Sequence, residues 1–180
     1  IEEATGYVGN FVTKVRSERG PTEIQHGAAV IAVGAEAYKP TEYLYGEDDR
    51  VLTNLELEDR IIKGEEQLIN ARSLVMIQCV GCRQEDRNYC ARICCNQSIK
   101  IALKLKQLNP RMDIYILFRD MRTYGLKEDF YREASEKGVQ FIRYEPQDPP
   151  RVEVAKEGGK DVIRVTVPDD ILGQRLELAA

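Results

Sequence analysis

The stretch Leu74-Val-Met-Ile-Gln-Cys79-Val-Gly-Cys82-Arg83 passes directly from a run of apolar residues into sulfur. A short apolar run closed by a glycine turn reads as a buried strand, here over residues 74–79. Downstream, Tyr89-Cys-Ala-Arg-Ile-Cys-Cys95 opens a segment in which Ile101, Ala102, Leu105 and Leu108 recur at helical spacing, with Lys100, Lys104 and Lys106 between them. Asn109-Pro110 stops that pattern, so a helix is expected over 89–108. Strand, cysteine-rich turn and helix form one unit, and the fold and the site are read from it together.

The alternation continues outward from this unit. Ile114-Tyr-Ile-Leu-Phe118 reads as a second strand, and Phe130, Tyr131 and Ala134 carry a helical pattern over 129–137. Gly138 takes the usual stop position before a third strand, Val139-Gln-Phe-Ile-Arg143. Strands alternating with helices imply right-handed crossovers and a parallel sheet. Upstream, Leu55, Leu57, Ile61 and Ile62 make a short helix over 54–62 that ends at Gly64. Ala28-Ala-Val-Ile-Ala-Val33 is a continuous small and β-branched run, the pattern of a strand covered on both faces. Tyr7, Val8, Phe11, Val12 and Val15 suggest a meandering strand pair before the turn at Ser17-Glu-Arg-Gly-Pro21. Residues 151–167 read as a hairpin about Gly158-Gly159, laid beside the nucleotide-type fold. The fold class expected is α/β, a Rossmann-like FAD/NAD(P)-binding type with a parallel sheet plus β-hairpin and meander.

Composition narrows the class further. The chain has 180 residues, 43% of them hydrophobic and 31% charged, as expected for a globular protein able to bury its own core. A formal charge of -4 argues against a general nucleic-acid binder. No apolar run approaches the roughly 18 residues of a membrane span. Five clustered cysteines do not resemble the dispersed, even-numbered framework of a small secreted domain, so a cytoplasmic location is expected. The start at Ile1 suggests a fragment.

The cysteines follow the order Cys79-x2-Cys82-x7-Cys90-x3-Cys94-Cys95. Thiolates are stabilised by the free N–H groups of a first helical turn, which suits a metal or cluster site at this place. Four thiolates from one segment can ligate a cubane iron-sulfur cluster or a tetrahedral zinc. The spacing matches neither a ferredoxin run nor paired zinc knuckles. The adjacent pair Cys94-Cys95 favours a cluster, which is wide enough to use two ligands that point apart. Two other readings stand beside it: Cys79-Val-Gly-Cys82 as the dithiol of a pyridine-nucleotide thiol/disulfide oxidoreductase, and a zinc-stabilised structural domain. The bland alternative is that several of the thiols are small buried hydrophobes. A dinucleotide turn would read Gly-x-Gly-x-x-Gly, and this one keeps only Gly81, which argues against nicotinamide nucleotide binding here.

The segments Val75-Met-Ile-Gln-Cys-Val-Gly-Cys-Arg83, Tyr89-Cys-Ala-Arg-Ile-Cys-Cys95, Phe118-Arg-Asp-Met-Arg-Thr-Tyr-Gly125 and Gly138-Val-Gln-Phe-Ile-Arg143 resemble the A-type polypeptide of heterodisulfide reductase and its bacterial relatives. Gly6-Tyr-Val-Gly-Asn-Phe11 and the run from Ala28 to Gly34 look like the flavin domain of that polypeptide, which is similar to thioredoxin reductase. The resemblance covers nearly the whole chain. It implies an oxidoreductase subunit that relays electrons, with other redox subunits as partners, and a fragment that is inactive alone. In that family the motif usually reads Cys-Val-Gly-Ser-Arg and then Tyr-Cys-Ser-Arg-Val-Cys-Cys. By position, the implied [4Fe-4S] ligands are Cys79, Cys90, Cys94 and Cys95, while Cys82 stands where serine is common and supplies a fifth thiol that could exchange as a ligand. The resemblance also implies FAD in the full-length protein, whose Gly-x-Gly-x-x-Gly loop has no match here. Gly34 and Ala35 would form the turn lying against a flavin, and Arg83 would lie beside the cofactor, its guanidinium raising the cluster's potential. On this reading residues 1–53 are the C-terminal part of a flavin-type domain, with meander and parallel strand, and 54–180 a nicotinamide-domain-like unit. His26, the single histidine, is expected at the surface.

Overall fold

Alternating polar and apolar residues around Gly9 and Gly20 build the first of the two units of the computed structural model, Ile1–Ala37 and Tyr38–Ala180. The structure describes residues 1–169 and 171–180. The first unit is an antiparallel sheet in the order β1 (Glu3–Tyr7), β2 (Asn10–Ser17), β3 (Gly20–His26). The third strand goes beyond the expected pair, because Pro21 falls inside β3, opposite Arg16, rather than in the turn. His26 is held in place: its Nε2 lies 2.8 Å from Thr13 Oγ1 and its Nδ1 2.8 Å from the carbonyl of Ala28, with the ring stacked on Phe11.

The strand expected over 28–33 does not form. Residues 28–37 have no regular structure, and Val30, Ile31 and Val33 are exposed. A strand apolar on both faces needs neighbours on both edges to pair its backbone, and no strand among the described residues pairs with this run.

In the second unit Thr53 caps α1 (Asn54–Ile62) through a reciprocal capping box with Glu56, an arrangement that contributes about 1 kcal/mol. A further turn, α2 (Glu66–Ile69), leads into β4 (Ser73–Ile77). Then come α3 (Cys94–Leu108), β5 (Asp113–Phe118), a 3-10 turn at Gly125–Lys127, α4 (Glu128–Glu136) and β6 (Val139–Arg143). The parallel sheet has the order β4-β5-β6, with Ile77 opposite Leu117 and Phe118 opposite Arg143. The helix expected from residue 89 begins at Cys94, and β4 ends before Cys79, so the loop between them is longer than the periodicity suggests.

The chain closes on an antiparallel sheet, β7 (Arg151–Glu157), β8 (Lys160–Asp169) and β9 (Gln174–Ala179). The expected hairpin is therefore a three-stranded layer, and it covers one face of the parallel sheet. Side chains alternate across β5: Ile114 and Ile116 face Ile99, Ile101, Leu105 and Ala134 on the helical side, whereas Leu117 packs with Ile163, Val165 and Val167 of β8. The unit is thus helices, parallel sheet, antiparallel sheet, a mixed α/β arrangement with a core on each face of the central layer. No helix among the described residues is long and apolar enough to cross a membrane.

Residues 38–53 group with this second unit. Leu44 packs into the core beneath β8, and Arg50 donates to the carbonyl of Asp161 at 2.8 Å. These contacts outweigh sequence proximity to the first sheet.

Candidate metal centre at the C-terminal edge of the parallel sheet

Gln78, the first residue after β4, fixes where the cysteines begin. Its N–H donates to Leu117 O at 2.9 Å, its carbonyl accepts from Tyr144 Oη at 2.6 Å, and its side-chain Nε2 donates to Ser98 Oγ at 2.7 Å. One buried residue therefore ties β4 to β5, to the exit of β6 and to α3. The backbone then turns sharply: Cys79, Gly81 and Arg83 have φ of 65°, 66° and 57°, in the left-handed region. Such conformations cost about 1 kcal/mol or more each for residues with a Cβ and persist where surrounding contacts enforce them. Here the Cys82 N–H approaches Cys79 O at 3.4 Å, and an excursion over 83–89 closes when the Arg83 N–H donates to Tyr89 O at 3.1 Å. That closure returns the chain to Cys90, whose sulfur accepts from the Arg92 N–H at 3.3 Å.

All five cysteines lie between the end of β4 and the first turn of α3. Cys79 and Cys82 influence each other's ionisation, as do Cys94 and Cys95, and the charge of Cys79 also reaches Cys94 and Cys95. Each pair divides its proton unequally. The thiol of Cys82, donating to Cys79, brings Cys79 down to about 6 against the cost of burial, with the Arg83 guanidinium 4.0 Å away adding to the effect. Cys82 is pushed up in turn. Cys95 is likewise lowered to about 6, first by Cys94 and then by the backbone N–H of Arg122, while Cys94 is raised. Among the described residues no three Cys, His, Asp or Glu side chains close around one point as a single ion would require. The donor set nevertheless suits a thiolate-bound group: soft ligands, two of them readily ionised, and guanidinium groups nearby to offset negative charge.

The turn after β5 forms another wall. The carbonyl of Asp120 lies 3.9 Å from Cys95 Sγ, the carboxylate of Asp120 pairs with Arg83, and Arg119 donates to the Arg83 carbonyl at 3.0 Å. Tyr38 stacks under the Arg87 guanidinium at 4.4 Å and packs against Gly81. A cavity of about 500 Å³ opens beside Cys79, lined also by Tyr43, Arg83, Arg119 and Tyr144. Cys79, Cys82, Arg83 and Cys90 lie on the loop after β4, and Cys94 and Cys95 on the first turn of α3. Gly34 and Ala35 belong to the other unit, in the stretch without regular structure, where Gly34 has a φ of 69°.

Residue pattern alone does not single out Gln78, Ser98 and Tyr144 as the side chains that hold the loop. The signal that could have found them is positional: Gln78 and Tyr144 each follow a parallel strand, at the edge where sites of open sheets gather.

A mixed α/β unit presenting a sulfur-rich loop at the C-terminal edge of its parallel strands defines the class. No protein-family model matches the chain. Among curated proteins it is 36% identical over 188 residues to the A-type iron-sulfur polypeptide of the CoB–CoM heterodisulfide reductase of Methanocaldococcus jannaschii, an alignment covering 92% of this chain and 27% of that protein. It is 32% identical over 185 residues to the A-type polypeptide of the H(2)/formate:CoB-CoM heterodisulfide,ferredoxin reductase of Methanococcus maripaludis, with the same two shares. To the A-type polypeptide of the H(2):CoB-CoM heterodisulfide,ferredoxin reductase of Methanothermobacter thermautotrophicus it is 35% identical over 146 residues, 70% of this chain and 22% of that one. Over the segment it shares with these proteins, the chain is similar to the A-type polypeptides of heterodisulfide reductases. It spans about a quarter of the length of the curated relatives it matches.

Proposed function

We propose that this chain is the cluster-binding segment of an oxidoreductase subunit of the heterodisulfide reductase type, with Cys79, Cys90, Cys94 and Cys95 as the ligands of a [4Fe-4S] cluster. The observation that carries the reading is that all five cysteines lie on the single loop and helix start that follow β4, at the C-terminal edge of the parallel sheet. The name of the Methanocaldococcus relative, which describes an iron-sulfur protein, supports it. When bound, such a cluster accepts and donates single electrons. The chain's own residues do the rest. Gln78 and Tyr144 hold the loop, and Arg83 offsets thiolate charge beside Cys79.

The three-layer unit is read as Rossmann-like, the counterpart of a nicotinamide domain over 54–180, and residues 1–53 as the end of a flavin-type domain. In the whole protein Gly34 and Ala35 would then lie against FAD. Other redox subunits in a cytoplasmic complex would be the partners, and the segment alone would turn over no substrate.

Anaerobic purification followed by iron, sulfide and zinc analysis tests the ligand reading. About four irons and four sulfides per chain, with an EPR signal after dithionite, are expected. Stoichiometric zinc without iron after anaerobic reconstitution would overturn it in favour of a structural zinc domain.

A further inference from the structure

One polar atom of Gln78 has nothing to bond. The residue is 3% exposed, and while its Nε2 donates to Ser98 Oγ at 2.7 Å, its Oε1 is buried without a hydrogen-bond partner. Buried polar groups are nearly always paired, because an unpaired one costs about 1–3 kcal/mol. The placement of this amide shows what could complete it. Gln78 directly precedes Cys79, and Ser98 lies four residues beyond Cys94 and three beyond Cys95 in α3, spacings that put the three side chains on one helix face. Cys95 and Ser98 are both buried there. The amide thus lies between the strand end that leads into Cys79 and the helix face that carries Cys94 and Cys95.

Ser98 makes this amide reversible. A hydroxyl both donates and accepts, whereas an amide has an oxygen end and a nitrogen end. A half-turn about the last side-chain bond of Gln78 lets Ser98 donate to Oε1 and puts the N–H groups in the unpaired position. Asn54 Nδ2, 2.9 Å from the same hydroxyl, donates to it in either arrangement. An oxygen in the unpaired position suits protonated thiols as neighbours. Thiolates holding a negative group call for the nitrogen end instead.

We propose that the side-chain amide of Gln78, held by Ser98, donates an N–H hydrogen bond to sulfur in the group that the cysteines bind. This rests on the cluster reading above and adds a residue that tunes the centre without ligating it. Hydrogen bonds to the sulfurs of a cluster favour its reduced, more negative state, so the amide raises the reduction potential. The backbone of Gln78 is anchored to Leu117 and Tyr144 independently of its side chain, which leaves the side chain open to substitution.

The test uses the chain loaded anaerobically with iron and sulfide, with its glutamine side-chain amides labelled with nitrogen-15. After dithionite reduction, pulsed EPR of the unsubstituted chain should show a nitrogen-15 coupling to the cluster spin. Gln78→Leu should lose that coupling, and its midpoint potential should become more negative. Gln78→Glu, which keeps the shape but as a carboxylate has no N–H, should shift the potential in the same direction. An unsubstituted chain that holds a reducible cluster but shows no glutamine coupling overturns the proposal, and this arm needs no variant to fold. A loaded Gln78→Leu chain with coupling and potential unchanged also overturns it, while the cluster reading stands. An unsubstituted chain that takes up no iron overturns the cluster reading and this inference together.

Discussion

The phenol of Tyr144 donates a 2.6 Å hydrogen bond to the carbonyl of Gln78, joining the end of the third parallel strand to the residue that precedes the first cysteine. Both residues are buried, and burial pushes the Tyr144 phenol up, so it remains a neutral donor throughout the neutral range. Because Gln78 also bonds β5 and α3, the position of Cys79 is set by three elements at once.

Tyr144→Phe keeps the ring in its packing and leaves the Gln78 carbonyl without that donor. The expected loss is about 1 kcal/mol of stability, read as a lower denaturant midpoint with an unchanged slope. An unchanged midpoint would mean that the bond contributes nothing net.

Ser98 is fully buried and accepts from both Gln78 Nε2 at 2.7 Å and Asn54 Nδ2 at 2.9 Å. Ser98→Ala leaves the buried Gln78 donor and the part-buried Asn54 donor without that acceptor, and the cost should be about 1–3 kcal/mol, exceeding that of Tyr144→Phe in the same denaturation series.

Gly81 tests the turn between the paired thiols. At a φ of 66° a Cβ would be strained, and it would also run into the Tyr38 ring. Gly81→Ala is expected to cost about 1–3 kcal/mol and to reduce reconstituted iron even in the fraction that stays folded. Tyr38→Ala combined with Gly81→Ala relieves the collision, leaving the backbone strain, and should recover part of the loss. No recovery would place the whole effect in the backbone.

The ligand assignment has its own discriminating series. Cys79→Ser, Cys90→Ser, Cys94→Ser and Cys95→Ser should each fall well below the roughly four irons of a full cluster, whereas Cys82→Ser should retain them. The reverse result for positions 79 and 82 would move the ligand to Cys82.

A pH dependence is expected away from the sulfurs. Hydrogen bonds from Arg50 hold the carboxyl of Asp48 at about 2, below its ordinary 3.8. A lowered carboxylate contributes stability that is present above its ordinary range and lost as pH falls through about 2. Arg50 is partly exposed, so the contribution is small, about 0.5–1 kcal/mol. Asp48→Asn should melt lower than the unchanged chain at pH 6, and the two should converge towards pH 2. A gap that persists at pH 2 would indicate that the loss is not electrostatic.

Much of the α/β unit is legible in residue pattern. The helix at Asn54–Ile62 and the strand Val139–Arg143 fall where the pattern and their glycine stops put them, because both are short segments with one apolar face and clear punctuation. Ala28-Ala-Val-Ile-Ala-Val33 misleads for the opposite reason. A run apolar on every side records that a strand would be buried, but not whether neighbouring strands are there to bury it. The start of α3 is displaced from the expected position because Tyr89 and Ile93, apolar in sequence, are exposed on a loop whose course depends on the contacts of Tyr38, Gly81 and the 83–89 closure.

The sequence alone determined the sulfur-rich segment, its place between a strand and a helix, and the alternation that makes the sheet parallel, since these follow from local residue types and their period. Only the tertiary structure decided that Cys79 lines a cavity and that Gln78, Ser98 and Tyr144 hold the loop. Those relations join residues far apart in the chain. They depend on how a three-layer core brings strand ends together, and periodicity carries no information about that.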